Sequence, residues 1–301
     1  MAGKTLVVIG GPTAVGKTAM AIAVAKQLNA EIISADSRQF YRELNIGTAK
    51  PSPVELHAAK HHFINNLSIH DYYNAFMFEQ EVLQFLEKYF LTRDLALMVG
   101  GSGLYIDAVC NGLDDLPTIQ PEIRQKLLQR YEKEGIEGIR FELKQIDPEY
   151  YLQVDLKNPK RILHALEIFY QMGKKYSQLR QEQKRIRPFN IIKIVLNQER
   201  EILYERINKR VDIMIENGLI EEAESLFSYK QLPPLQTVGY RELFDFLEGK
   251  YDIEEAVRLI KRNTRHYARR QITWFKRDAE NQWVKPDVSE IKLLIEKSFL
   301  H

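Results

Sequence analysis

The segment Thr5–Leu28 constrains this chain more than any other. An apolar, β-branched run, Thr5–Ile9, enters the turn Gly11-Pro12-Thr13-Ala14-Val15-Gly16-Lys17-Thr18, and strong helix formers follow from Lys17 to Leu28. Strand, G-x-x-x-x-G-K-T and helix in that order make a phosphate-binding loop. The glycines let backbone N–H groups face an anion, and the helix N-terminus adds partial positive charge. Lys17 is expected to reach the terminal phosphate oxygens and the Thr18 hydroxyl to ligate Mg²⁺. A glycine-rich turn without a ligand is disfavoured, because the context fits as well as the spacing. A diphosphate or triphosphate binds here, but the motif does not say whose.

Three further apolar runs read as buried strands: Glu31–Ala35 ending at Asp36, Leu95–Val99 ending at Gly100-Gly101, and Ile191–Leu196 ending at Asn197. Helical stretches separate them at Asn74–Phe90, Gly103–Cys110 and Arg200–Glu216, the last stopped by Gly218. Strands alternating with helices imply an α/β fold with a parallel, doubly wound sheet, whose ligands sit at the strands' carboxyl ends. Gly11, Asp36 and Gly100 fall at those ends. Between the third and fourth strands lie about seventy surplus residues, Leu113–Pro188, too many for a crossover. They open with LDDLPTIQP and are dense in helix formers. They close with the basic polar run Lys174–Pro188, expected to be mobile. The expected organisation is a phosphate-loop core over 1–112, a helical insertion domain over 113–188, and core completion with basic C-terminal helices over 189–301.

With 301 residues, 45% of them hydrophobic, the chain can bury a large core. Its net charge of +2 announces no nucleic-acid partner by itself. The single cysteine, Cys110, excludes a disulfide framework and a cysteine-rich zinc module. No run approaches the ~20 apolar residues of a spanning helix, so a cytoplasmic protein with no membrane partner is expected.

Three groups of residues invite chemistry. Asp36 is the best acid near the loop, because the strand Leu95–Val99 ends in glycines. It could serve Mg²⁺ from its second shell, act as general base on an acceptor over the phosphate, or merely cap the following turn. Its neighbours in ADSRQFY suit a planar heterocycle better than a simple alcohol. Residues 256–277 hold eight Lys or Arg and no acid, with His266, Tyr267, Trp274 and Phe275 interleaved. Arg258, Arg262, Arg265 and Arg269 share one helical face, which suits phosphate-backbone contact better than a solvated surface. The aromatics serve either as core packing or as platforms for bases. His57, His61 and His62 cluster, with His57 and His61 on one face if that piece is helical. No Cys and no H-E-x-x-H glutamate accompanies them, so packing or polar lining is preferred to a metal site.

Along nearly its whole length the chain resembles the tRNA dimethylallyltransferase (tRNA isopentenyltransferase) family. The resemblance is carried by GPTAVGKT, ISADSRQFYRELNIGTAKP, LMVGGSGLY, NPKRILHALEIF, TVGYREL and TRHYARRQITWF. The loop alone is generic; ADSxQxY…IGTAKP together with ARRQxTWF is specific. The resemblance implies transfer of a dimethylallyl group from dimethylallyl diphosphate to N6 of the adenosine just 3′ of a tRNA anticodon. The loop would then hold a leaving group. It assigns Asp36 as general base, Lys17 and Arg210 to the diphosphate, and Thr13 to the junction of the two substrates, with Mg²⁺ as cofactor. It carries over tRNA contacts at Asp36, Ser37, Arg38, Gln39, Ser102, Arg124, Lys160, Arg161, Ile162, Leu163, His164, Gln236, Thr237, Val238, Gly239, Tyr240 and Arg241, which the basic stripe extends to Arg265 and Arg269.

Two positions depart from the family pattern. His164 stands where a second basic residue is expected, and Ser102 replaces the commoner threonine while keeping the hydroxyl. With no zinc finger after the basic run, the chain resembles the bacterial members, and a monomer is expected. The alternatives are a P-loop small-molecule kinase, for which the basic helix is surplus, and an adenylate isopentenyltransferase, which needs no long insertion. A non-catalytic RNA-binding protein with a vestigial loop is the third, and intact Lys17, Thr18 and Asp36 argue against it.

Overall fold

The computed structural model describes residues 3–114, 116–117, 119–180 and 184–298. Its strands are β1 (Thr5–Gly10), β2 (Ile32–Ser34), β3 (His61–His62), β4 (Leu95–Gly100), β5 (Asn190–Leu196) and β6 (Gln282–Val284). They form one sheet in the order β3-β2-β4-β1-β5-β6, with every pairing parallel. The α/β class read from the sequence is therefore observed. The four expected strands are its centre; the edge strands β3 and β6 were not foreseen.

The helices are α1 (Lys17–Leu28), α2 (Pro53–Ala58), α3 (Ala75–Tyr89), α4 (Gly103–Asn111), α5 (Pro121–Ile146), α6 (Pro148–Gln153) and α7 (Pro159–Met172). Then come α8 (Tyr176–Leu179), α9 (Arg200–Glu216), α10 (Leu219–Leu226), α11 (Tyr240–Leu247), α12 (Ile253–Phe275) and α13 (Val288–Ser298). The chain divides into two units: 1–111 with 186–301, and 112–185.

In the first unit both sheet faces are covered, so the central strands read as continuous apolar runs. Leu6 and Val8 of β1 face one core with Phe78, Val82 and Leu86 of α3 and Ile260 and Phe275 of α12. Val7 and Ile9 face the other, with Ala21, Val24 and Ala25 of α1, Leu203 and Ile207 of α9, and Ile291 and Ile295 of α13. Among the described residues no helix is long and apolar enough to cross a membrane.

The second unit has its own core: Leu127, Ile139 and Leu143 of α5 pack with Tyr150 of α6 and Ile162 and Leu166 of α7. α5 breaks at Gly135, whose φ of 68° lies outside the helical range. Asp147 and Asn158 cap α6 and α7 through their side-chain oxygens. Of the stretches that bound the insertion in the sequence, Asp115, Thr118 and 181–183 lie outside the described residues, so the expected mobility of Lys174–Pro188 is untouched there.

One histidine expectation is corrected. α2 ends at Ala58, and His61 and His62 belong to β3, so His57 and His61 do not share a helix face. Glu31 draws His62 at 2.6 Å, while His61 Nδ1 meets the Ala59 carbonyl oxygen at 2.7 Å. Among the described residues no three His, Cys, Asp or Glu side chains are grouped to hold a metal.

Candidate active site

The carboxyl ends of β1, β2 and β4 bring the loop, Asp36 and the Gly100-Gly101 turn together. The approach is close: a Cβ on Gly100 would lie 2.1 Å from the Ala35 carbonyl oxygen. Only glycine lets β4 run this tightly beside the strand that delivers Asp36.

Lys17, in the first turn of α1, folds back over the loop and donates to the carbonyl oxygens of Gly11 (2.9 Å) and Pro12 (2.8 Å). Packing around its ammonium pulls its pKa down to about 7; the Asp36 carboxylate opposes this and Arg210 adds to it. Arg210 on α9 is pushed below its ordinary value by burial first and by Arg206 next, with Asp36 and Glu55 opposing. Its Nη1 lies 3.4 Å from the Thr13 hydroxyl oxygen. The Thr13 N–H is held at 2.8 Å by the side-chain oxygen of Gln271 on α12, whose Nε2 donates to the Gly101 carbonyl oxygen at 2.9 Å. One buried amide thus ties the loop to the β4 turn.

Asp36 borders two chambers. The smaller, about 40 Å³, is lined by Lys17, Thr18, Ser34, Asp36, Gln39 and His61 among others. The larger, about 240 Å³, joins Thr13, Asp36, Ser37, Arg38, Arg210 and Tyr267 to an apolar wall of Val211, Met214, Leu219 and Ile260. Asp36 is oriented by the Arg38 N–H, which donates to its Oδ1 at 3.0 Å. Ser102 accepts the Ser37 N–H at 2.9 Å, and its hydroxyl lies 3.2 Å from that of Ser37. Burial, and then the Asp36 charge, push the Tyr267 phenol up to about 12, so it stays protonated at neutral pH. Thr237, Val238 and Gly239 also line the larger chamber.

The oxygen donors fit Mg²⁺. Thr18, Ser34 and Asp36 edge the same small chamber beside Lys17, and hard oxygen ligands completed by phosphate oxygens are what that ion takes.

A family model described as IPP transferase matches residues 39–278, a span that begins after the phosphate loop. The chain belongs to this family. It is 50% identical over 287 residues to tRNA dimethylallyltransferase 1 of Bacteroides fragilis, covering 95% of each chain. It is 52% identical over 284 residues to tRNA dimethylallyltransferase 2 of Azobacteroides pseudotrichonymphae, covering 94% of this chain and 92% of that one. Its fold matches the full-length tRNA isopentenylpyrophosphate transferase of Bacillus halodurans with TM-score 0.73 and 34% identity, over 99% and 97% of the two chains. A eukaryotic dimethylallyltransferase solved acting on tRNA matches with TM-score 0.80 and 27% identity, over 98% of this chain and 77% of that one.

Within this IPP transferase fold, several expected RNA contacts need correcting. Tyr240 is fully buried, and its hydroxyl donates to Glu222 at 2.6 Å. Ile162 and Leu163 fill the core of the second unit, so neither side chain faces solvent or RNA. In that unit Arg124 is bound to Glu167 at 2.9 Å, with His164 3.6 Å from the same carboxylate, while Lys160 and Arg161 are exposed. Gln236 and Arg241 are exposed as well.

The basic helix is sorted by the fold. Phe275 is core, and Trp274 donates its indole N–H to Asp107 at 2.8 Å. Arg258 pairs with Glu255, and Arg265 is half-buried, donating to Asn208 at 2.7 Å. Arg269 is exposed.

Sequence reading missed Arg206 and Gln271. A guanidinium nitrogen of Arg206 would lie 3.2 Å from a Cβ on Gly16, which puts it over the loop. Its i, i+4 relation to Arg210 on α9 was the available signal.

Proposed function

We propose that this chain transfers a dimethylallyl group from dimethylallyl diphosphate to N6 of the adenosine immediately 3′ of the anticodon in tRNA. The observation that carries this reading is the position of Asp36, among the described residues the one acid bordering both the phosphate-loop chamber and the larger chamber. A kinase needs a small acceptor over the loop; this arrangement offers an apolar wall beside a carboxylate.

The adenine must first leave its stack, at a cost of a few kcal/mol. N6 is then a weak nucleophile, because its lone pair is delocalised into the ring. As the N6–C1 bond forms and the C1–O bond breaks, the bonding pair of C–O leaves on the diphosphate. Asp36 takes the N6 proton, a general-base contribution of about 10²–10⁴-fold. Lys17, Arg210 and the loop N–H groups stabilise the charge growing on the leaving oxygens. Val211, Met214 and Ile260 exclude water from the allylic carbon. Mg²⁺ would be held by Thr18, with Asp36 beside it, and would supply Lewis-acid neutralisation of the diphosphate.

The test uses labelled dimethylallyl diphosphate and, separately, γ-labelled ATP, each with an unmodified anticodon stem-loop. Prenyl label should enter the RNA, and only when adenosine follows the anticodon; guanosine there, which lacks the N6 amine, should take none. Label transferred from ATP instead would sink the reading.

A further inference from the structure

The turn Ile46–Thr48, in the stretch NIGTAK, carries part of the larger chamber's wall through Gly47, Thr48 and Ala49. A short 3-10 turn presents unpaired N–H groups at its start. Here three consecutive ones are collected by a single side chain. Glu222, on α10, accepts from Asn45 N (3.0 Å) and Ile46 N (2.9 Å) on Oε2, and from Gly47 N (2.9 Å) on Oε1.

The same Oε1 accepts the Tyr240 hydroxyl at 2.6 Å. Tyr240 directly follows Thr237–Gly239, which line another part of that chamber. Contact between the two segments is also direct, since a Cβ on Gly47 would lie 2.7 Å from the Tyr240 ring. Helix α10 buries Leu219, Ala223 and Leu226 in the core, so its placement is fixed independently of the carboxylate. Burial first, and then Glu222, push the Tyr240 phenol well above its ordinary value, which keeps it a donor.

We infer that Glu222 is a positioning residue for the transfer reaction. It draws the Gly47–Ala49 wall and, through Tyr240, the Thr237–Gly239 wall onto one carboxylate, and so sets the width of the slot that presents the adenine to Asp36. This rests on the function proposed above. Charge is essential to the device: a carboxylate offers lone pairs to all four donors, whereas an amide offers one oxygen and turns an NH₂ group toward the rest.

The experiment compares wild type, Glu222→Gln, Glu222→Asp and Tyr240→Phe in single-turnover transfer to tRNA, at a temperature where circular dichroism shows each fully folded. With both substrates saturating, Glu222→Gln should turn over about tenfold or more slowly, the size expected of a misplaced reacting group. Its affinities for dimethylallyl diphosphate and inorganic pyrophosphate should stay within about twofold of wild type, because the loop is untouched. Glu222→Asp, which keeps the charge, should recover part of the rate. Tyr240→Phe, which removes one donor and keeps the ring, should lose less, and its effect should shrink when Glu222 is already Gln.

Unchanged turnover in folded Glu222→Gln overturns the inference, whatever its melting temperature. So does an equal collapse of turnover and pyrophosphate affinity, which would mean that the damage reaches the loop. Should Glu222→Gln not fold, a wild-type rate in Tyr240→Phe overturns it. A wild-type protein that prenylates no tRNA removes the function and this inference together; a competent wild type beside an undiminished Glu222→Gln removes the inference alone.

Discussion

Helices α9 and α12 line the same chamber, yet their arginines do opposite things. On α9, Arg210 reaches the Thr13 hydroxyl and Arg206 stands over Gly16. On α12, Arg258, Arg262 and Arg265 are engaged by Glu255, Asn263 and Asn208 and Arg269 is exposed, and the helix contributes the uncharged Tyr267 to the chamber and Gln271 to the loop. A guanidinium beside other buried cations is unfavourable until an anion arrives. One held by Glu255 or Asn208 already has its partner. Density of charge in a sequence thus marks the less reactive helix.

The largest expected effect breaks or keeps this contrast outright. Arg210→Gln should lower the single-turnover rate at saturating substrates by about 10²–10³-fold, the usual loss for one donor aimed at developing charge. Arg258→Gln, exposed and paired with Glu255, should change it less than twofold, as surface ion pairs contribute little. Equal losses would erase the distinction between the helices.

A second test concerns protons at the α9 end. Lys17 is shifted down from 10.5 to about 7, so between those values the unfolded chain binds a proton that the folded chain does not. Stability of the free protein should therefore rise with pH across that window and be flat below it on this account. Pyrophosphate favours the ammonium, so its binding near pH 8 should take up as much as about one proton more in wild type than in Lys17→Met. Calorimetry in buffers of different ionisation enthalpy reads that difference. Equal uptake by the two proteins would remove Lys17 from the anion site.

How far all this was legible follows the range of the interactions. The loop, Asp36 at the end of β2 and the full span of α9 are local patterns, and each could be read from adjacent residues. Strands β3 and β6 could not: His61–His62 and Gln282–Val284 are too short and too half-buried to show a period. Tyr240 misled for a different reason. It sits among polar motif residues, and its burial depends on Glu222 and Gly47, partners distant in sequence. Gln271 lay inside the specific stretch ARRQITWF, but its bond to Thr13 crosses from the last long helix to the first turn.

The smallest effect separates two arginines one turn apart on α12. Arg265 donates to Asn208 and lies 5.9 Å over the Tyr204 ring, so it cements α12 to α9. Arg265→Gln should lower stability by about 0.5–1.5 kcal/mol, the net worth of such a bond, and leave the salt dependence of tRNA binding as it was. Arg269 is exposed on the same helix. Arg269→Gln should leave stability unchanged, weaken tRNA binding, and flatten the slope of log affinity against log salt by about one, as loss of one phosphate contact requires. Thermal melts and tRNA titrations over a salt series read both quantities. If the two variants exchange these phenotypes, the RNA-facing side of α12 is the one turned toward α9. If neither changes the slope, the basic stripe is a solvated surface, and tRNA is held by other parts of the chain.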